Sequence, residues 1–182
     1  MLRALLCYLA LCMGAVADTL PESTFNQCLK QEVLPVCLDG FYKVPDFLNF
    51  KGGYVYVFVH NGKLFAYGVK NLDGSTRAHY DIYNPNKSLR SRLDKEVIFL
   101  QNLAINGTNL HSGTSYNFQN GATYYTRGRI LANGDLHLDF ALDSYHILGK
   151  SFLWQRLSET QVRHHDLRPI NKQQALETLK DK

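Results

Sequence analysis

The sequence predicts a mainly β protein: an antiparallel up-and-down barrel of about eight strands, with a short helix before it and another after it. Three observations predict this. Short runs rich in β-branched and aromatic residues recur at barrel-like spacing from residue 40 to 157. Asn-Gly pairs punctuate them at Asn61-Gly62, Asn106-Gly107, Asn120-Gly121 and Asn133-Gly134. Both residue types tolerate the positive φ that tight hairpin turns demand. The last run, Lys150 to Leu157, carries the chain's only Trp, Trp154, two residues before Arg156, so the two share one face.

The first seventeen residues have the pattern of a secretory signal. Arg3 supplies the positive start, Ala4 to Met13 an apolar stretch, and Ala15-Val16-Ala17 a small-x-small cleavage site before Asp18. The apolar stretch falls short of the roughly 20 residues a spanning helix needs. Cys12 lacks the small preceding residue of a lipid-attachment site. The expectation is export, to the periplasm or outside the cell, with no integral membrane segment. Cleavage would leave 165 of the 182 residues and, with Arg3 gone, 19 basic against 16 acidic side chains, a net charge of +3. That balance is mild and lacks a dense basic stripe, so nucleic acid is excluded as an expected partner.

Residues 18–39 form the next segment. Ser23 or Thr24 can cap a short helix that runs to about Leu34, where Pro35 stops it. Cys28 and Cys37 are the two cysteines a mature chain would keep. An even pair in an oxidising compartment predicts a Cys28–Cys37 disulfide, contributing about 2–3 kcal/mol through its short loop. Their spacing matches neither a CxxC motif nor common zinc sites.

The barrel is expected over residues 40–157. Its first strand begins near Gly40-Phe41-Tyr42. Tyr54 to His60 and Lys63 to Val69 form the clearest hairpin about Asn61-Gly62. Its aromatics fall on one face and its valines on the other, so both faces should be covered. Residues 71–96 then turn polar and read as a long loop or lid, with a short strand near His79 to Tyr83. Strand character resumes at Val97–Ala104, Leu110–Phe118, Ala122–Leu131, Asp135–Leu142 and Lys150–Leu157. The tail, 158–182, is polar from Arg163 to Asp166. It becomes helical from Asn171 to Lys180, with Ala175, Leu176 and Leu179 on one face.

Several of these segments resemble a known family. His111-Ser112-Gly113, Tyr116 to Tyr124, Asn133-Gly134-Asp135-Leu136 and Leu148-Gly149-Lys150 with Trp154-Gln155-Arg156-Leu157 are similar to small exported bacterial proteins. That family is known as a domain of unknown function with a lipocalin-like (calycin) barrel. The resemblance covers Gly40 to Leu157 and is strongest after Leu110. Phe118-Gln119 stand where the family has aspartate-proline, and Lys150 stands for an arginine. Lipocalins pack a Gly-x-Trp of strand one against an Arg of the last strand, which implies a structural plug of Tyr42, Trp154 and Arg156.

An eight-stranded barrel has room for one small ligand, or none if side chains fill it. Both outcomes stay open in a chain with so many aromatics on its strands: Tyr54, Tyr56, Phe58, Phe65, Tyr67, Phe99, Tyr116, Phe118, Tyr124, Phe140 and Phe152. The expected ligand is small and hydrophobic, a fatty acid or similar. The residues expected to meet it are Tyr54, Tyr56, Phe58, Tyr67, Tyr116 and Tyr124, with Arg127 and Arg129 for an anionic head group. A second reading is an envelope or secreted protein-interaction module with a filled barrel. A third is a small enzyme acting on lipid or cell-wall fragments. The sequence offers no catalytic residues, since it has no Gly-x-Ser-x-Gly elbow and no paired acids at strand ends. No cofactor and no metal are expected, because His60, His79, His111, His137, His146 and His164-His165 match no ligand spacing.

Overall fold

The computed structural model describes residues 37–46 and 51–180. The signal-like segment, the helix expected from Ser23 or Thr24 to about Leu34, and Cys28 with its pairing to Cys37 lie outside the described residues. Eight strands follow in order: β1 (Gly40–Val44), β2 (Gly53–His60), β3 (Lys63–Asn71), β4 (Ile98–Asn106), β5 (Asn109–Asn117), β6 (Ala122–Ile130), β7 (Leu136–Ala141) and β8 (Gly149–Arg156). Each pairs antiparallel with the next, and β1 pairs with β8 at Tyr42↔Arg156 and Lys43↔Gln155, which closes the barrel. A 3-10 turn (Lys87–Leu89) lies in the β3–β4 loop, and α1 (Glu159–His164) and α2 (Lys172–Glu177) follow the barrel.

Local chemistry explains the turns. Asn61 and Gly62 both take positive φ, 50° and 70°, as a two-residue hairpin requires. Bulges set the curvature. Registers shift between Leu64 and Ala66 against β4 and between Leu110 and Gly113 against β6, and Asn102 and Ser112 sit at positive φ inside those offsets. Each inserts an extra residue that increases local twist and helps a sheet curl shut.

All eight strands feed one interior. Tyr42, Val55, Val57, Val59, Leu64, Ala66, Leu100, Leu103, Leu110, Ile130, Leu136, Leu138 and Trp154 pack together there, and residues from every stave can meet only inside. Full burial of each such Leu or Val contributes about 1.5–3 kcal/mol.

A second apolar layer lies outside. Phe58, Phe65, Tyr67 and Ile98 pack under Ala175, Leu176, Leu179 and Ile170 of the tail, while Phe41 and Tyr54 pack under Leu167 and Val162. Polar clamps fix the tail. The Ile170 amide donates to the Tyr67 hydroxyl (2.9 Å), the Ile98 amide donates to Thr178 Oγ1 (3.1 Å), and Lys172 pairs with Asp39.

Two expectations change. The strand expected near His79–Tyr83 is a single bridge, Tyr80 to Leu93, because the loop's backbone turns back on itself around buried Asp81. The tail gains α1, which begins at a capping box. Ser158 Oγ accepts from the Gln161 amide, and the Gln161 side chain accepts from the Ser158 amide. Its one inward apolar side chain, Val162, is too weak a periodic signal to read from sequence.

Candidate functional site

The two ends of the barrel differ. At one end three short turns, 61–62, 107–108 and 131–135, join the strands, and β1 begins beside the end of β8. Here Arg156 closes the floor. Its guanidinium donates to the Tyr42 hydroxyl (3.0 Å) and the Asp39 carbonyl (2.9 Å), and lies 5.6 Å from the Tyr42 ring centroid. Tyr42 in turn donates to the Leu38 carbonyl (3.2 Å), and burial pushes its phenol pKa up, so it stays a neutral O–H. Asp135 accepts from the Arg156 amide at 2.8 Å. Trp154 stands one rung further in, packed on Phe99 and Phe140 and not under the guanidinium.

The opposite end carries the long loop 72–97, the turn 118–121 and the loop 142–148. Below it the interior changes character. Leu64, Leu103 and Leu136 are fully buried near the floor. Nearer the mouth, Phe99, Phe140 and Phe152 pack on the same interior and yet are only partly buried. Phe140 stacks on Trp154 with ring centroids 6.1 Å apart and meets Phe152 edge-on at 5.7 Å. Tyr124 faces the same way, since it pairs with inward Ser115, and its hydroxyl accepts from the Asn120 side chain (2.9 Å). Lys150 pairs with Phe140 across the strands, which puts it on the inner face at the rim. The result is a cluster of partly buried inward-facing aromatics above Trp154, the inner face that a guest would meet.

The lid is held by a charged latch. Asp81, with no exposed surface, accepts from Arg92 (3.1 Å), from the Asn84 side chain (2.6 Å) and from the Tyr116 hydroxyl (2.7 Å). Burial and the bond to Asp81 both push the Tyr116 phenol pKa up. Arg92 also lies 5.8 Å over the Phe118 ring. Gly121 completes the seat: at φ +71° a Cβ there would lie 2.0 Å from the Tyr83 carbonyl oxygen, so only glycine lets the lid come this close.

Of the residues predicted to meet a ligand, only Tyr124 faces the interior. Tyr54, Tyr56, Phe58 and Tyr67 are on the outer surface beneath the tail, because the valines of β2 took the inside. Tyr116 also points outward, to the lid. Arg127 and Arg129 stand on the outer face of β6, where Arg127 lies 3.6 Å from Asp139 and Arg129 pairs across with His137. They line a concavity of about 350 Å³ on the outside of the barrel. A second, of about 360 Å³, lies between α2 and the wall near Phe65 and Asn102. The interior face instead presents Phe99, Phe140 and Phe152, with Lys150 at its rim, none of them among the residues predicted to meet a ligand. Period-two spacing from Leu136 through Leu138 to Phe140, and from Trp154 back to Phe152 and Lys150, carried that information. Among the described residues no group of three His, Cys, Asp or Glu side chains could hold a metal ion, and no helix is long and apolar enough to cross a membrane.

A closed antiparallel meander of eight strands, floored by an arginine on an aromatic ring, defines a lipocalin-like barrel. The chain belongs to the bacterial family described as "Uncharacterized protein conserved in bacteria (DUF2147)", which matches residues 40–156. Among solved structures it is similar to HP1028 from Helicobacter pylori, described as belonging to the lipocalin family. The two are 40% identical, the match covers 78% of this chain and 97% of that one, and the TM-score is 0.74. No curated protein matches this chain.

Proposed function

We propose that this protein is an exported carrier that holds a small hydrophobic ligand, a fatty acid or similar amphiphile, in an aromatic cup at the end opposite Arg156. One observation carries the reading: Phe99, Phe140 and Phe152 face inward above fully buried neighbours and yet keep exposed surface. Inward aromatic surface left uncovered by protein is what an apolar guest covers. Lys150 at the rim is the cation placed to meet a carboxylate head group, the role the sequence had assigned to Arg127 and Arg129. Export rests on the signal pattern of residues 1–17, and the same compartment favours a Cys28–Cys37 disulfide, for which Cys37 is fully buried beside the floor.

Titration with a fluorescent long-chain fatty acid tests the carrier reading. Saturable binding is expected, weakened about tenfold or more by Phe140→Ala with Phe152→Ala, given the apolar area the rings present. Lys150→Glu should weaken a fatty acid more than the matching fatty alcohol. Absence of saturable binding would sink the proposal.

A second reading, a protein-interaction module with a filled barrel, is favoured by two observations. Trp154, Tyr42, Leu64, Leu103 and Leu136 pack the lower half of the barrel, and both concavities named above lie outside it.

A further inference from the structure

The loop 142–148, between β7 and β8, presents its large apolar side chains to solvent. Leu142 is 60% exposed, Tyr145 82%, Ile147 78% and Leu148 70%. The loop is nevertheless tightly organised. The Asp143 carboxylate accepts from the amides of Tyr145 (3.0 Å), Ile147 (3.2 Å) and Leu148 (2.9 Å). Those bonds also pull the Asp143 pKa down, so the anion that winds the loop persists at neutral pH. His146 takes φ +58° and turns the other way, partly buried. A loop wound around its own carboxylate, at the cost of an unfavourable backbone angle, holds Tyr, Ile and Leu outward as a fixed tip.

Its position narrows what the tip touches. It stands at the end opposite Arg156, and a second apolar pair, Ile82 (56% exposed) and Tyr83 (57%), projects from the lid at that same end. Stable protein–protein contacts bury about 800 Å² per partner in one complementary surface. A few side chains projecting from two separate loops do not make such a surface, whereas a bilayer accepts apolar knobs without matching their shape. Tyrosine beside aliphatic side chains, with Lys150 just after the loop and Asp143 occupied by its own amides, is a composition suited to the lipid–water interface.

We propose that the 142–148 tip, with Ile82 and Tyr83, docks this end of the barrel onto a phospholipid surface, from which the cup takes its guest or to which it delivers one. The choice of a membrane rests on the carrier reading of the cup.

Flotation with vesicles of phosphatidylglycerol and phosphatidylcholine tests it, using the mature chain and the variant Tyr145→Ser, Ile147→Ser, Leu148→Ser. These side chains are exposed, so the variant should keep the wild-type circular dichroism and melting temperature. Wild type should float with the vesicles, and the variant should bind them about tenfold less or weaker, while both bind a soluble fluorescent fatty acid equally. A wild type that does not float, or a variant that floats equally, overturns the docking proposal. So does a wild type that dimerises through the tip in light scattering and ignores vesicles. If neither protein binds the fatty acid but flotation still separates them, the carrier reading fails and docking stands.

Discussion

Arg156 donates through two arms of its guanidinium and lies over the Tyr42 ring, and no other residue type makes those contacts together. Lysine would keep the charge and lose the fork. Arg156→Lys is therefore expected to lower stability by about 2–3 kcal/mol, the worth of charge-assisted hydrogen bonds whose partners are left inside the floor. Tyr42→Phe, which strands the Leu38 carbonyl and one guanidinium arm, should cost about 1–2 kcal/mol. Urea denaturation followed by circular dichroism checks both, and an Arg156→Lys midpoint equal to wild type would remove the plug from the account. This contact was legible in the sequence because a glycine, an aromatic and a terminal Arg stand in a known order. The role of Trp154 was not: sharing a face with Arg156 places it inside but does not say which ring it meets. The outward direction of Arg127 and Arg129 was not legible either, since they share a face and nothing local says whether that face is the inner one.

At the scale of elements, the tail is a clamp on the outer aromatic layer. Ala175 is fully buried against Phe58, Phe65 and Tyr67, with no room for a charge. Ala175→Glu should release α2. Hydrogen exchange would then show amide protection lost in the tail and retained in the barrel strands, with stronger binding of an apolar dye. The clamp is also expected to respond to pH. Tyr54 lies 3.1 Å from His165 Nε2 with ring centroids 4.6 Å apart, and Lys70 donates to the His165 carbonyl. Desolvation first, then His164, Lys70 and Lys43, hold the His165 pKa below 6.5. A histidine depressed in the folded state binds fewer protons there than when unfolded. Its contact is thus fully present above 6.5 and is lost as pH falls through the lowered value. Tail amides should show lower protection, relative to the intrinsic base-catalysed rate at each pH, at pH 5.5 than at 7.5, and His165→Gln should flatten that difference; an unchanged pH dependence of protection would place the switch elsewhere. Helix α2 was readable from its apolar stripe. What it covers was not, because a helix's stripe shows that it packs and not which sheet face receives it.

Across the whole molecule, the wall formed by β2 and β3 separates two apolar layers. Val55, Val57 and Val59 belong to the inner one and Tyr54, Tyr56 and Phe58 to the outer. The strands, their order and the Asn-Gly turns were readable because each is a local signal. Which face of β2 turned inward was not. A strand apolar on both sides carries a period of two and no label for inside, and the smaller valines fit a crowded barrel while the rings fit under the tail. The layers also differ in what holds them. The interior is locked by a closed ladder of eight strands, whereas the outer layer is held by two six-residue helices and a few hydrogen bonds. An outer layer that can lift without breaking a strand pairing belongs to the low-stability end of the molecule. The two should therefore open in separate steps. Trp154, with only 2% exposure, reports the interior through its fluorescence, and exchange of the amides of 170–179 reports the tail. In increasing urea the tail amides should lose protection first, while Trp154 emission stays at its buried wavelength until the barrel itself unfolds. Coincident transitions would mean that the outer layer is part of one cooperative unit and that the barrel does not stand without its clamp.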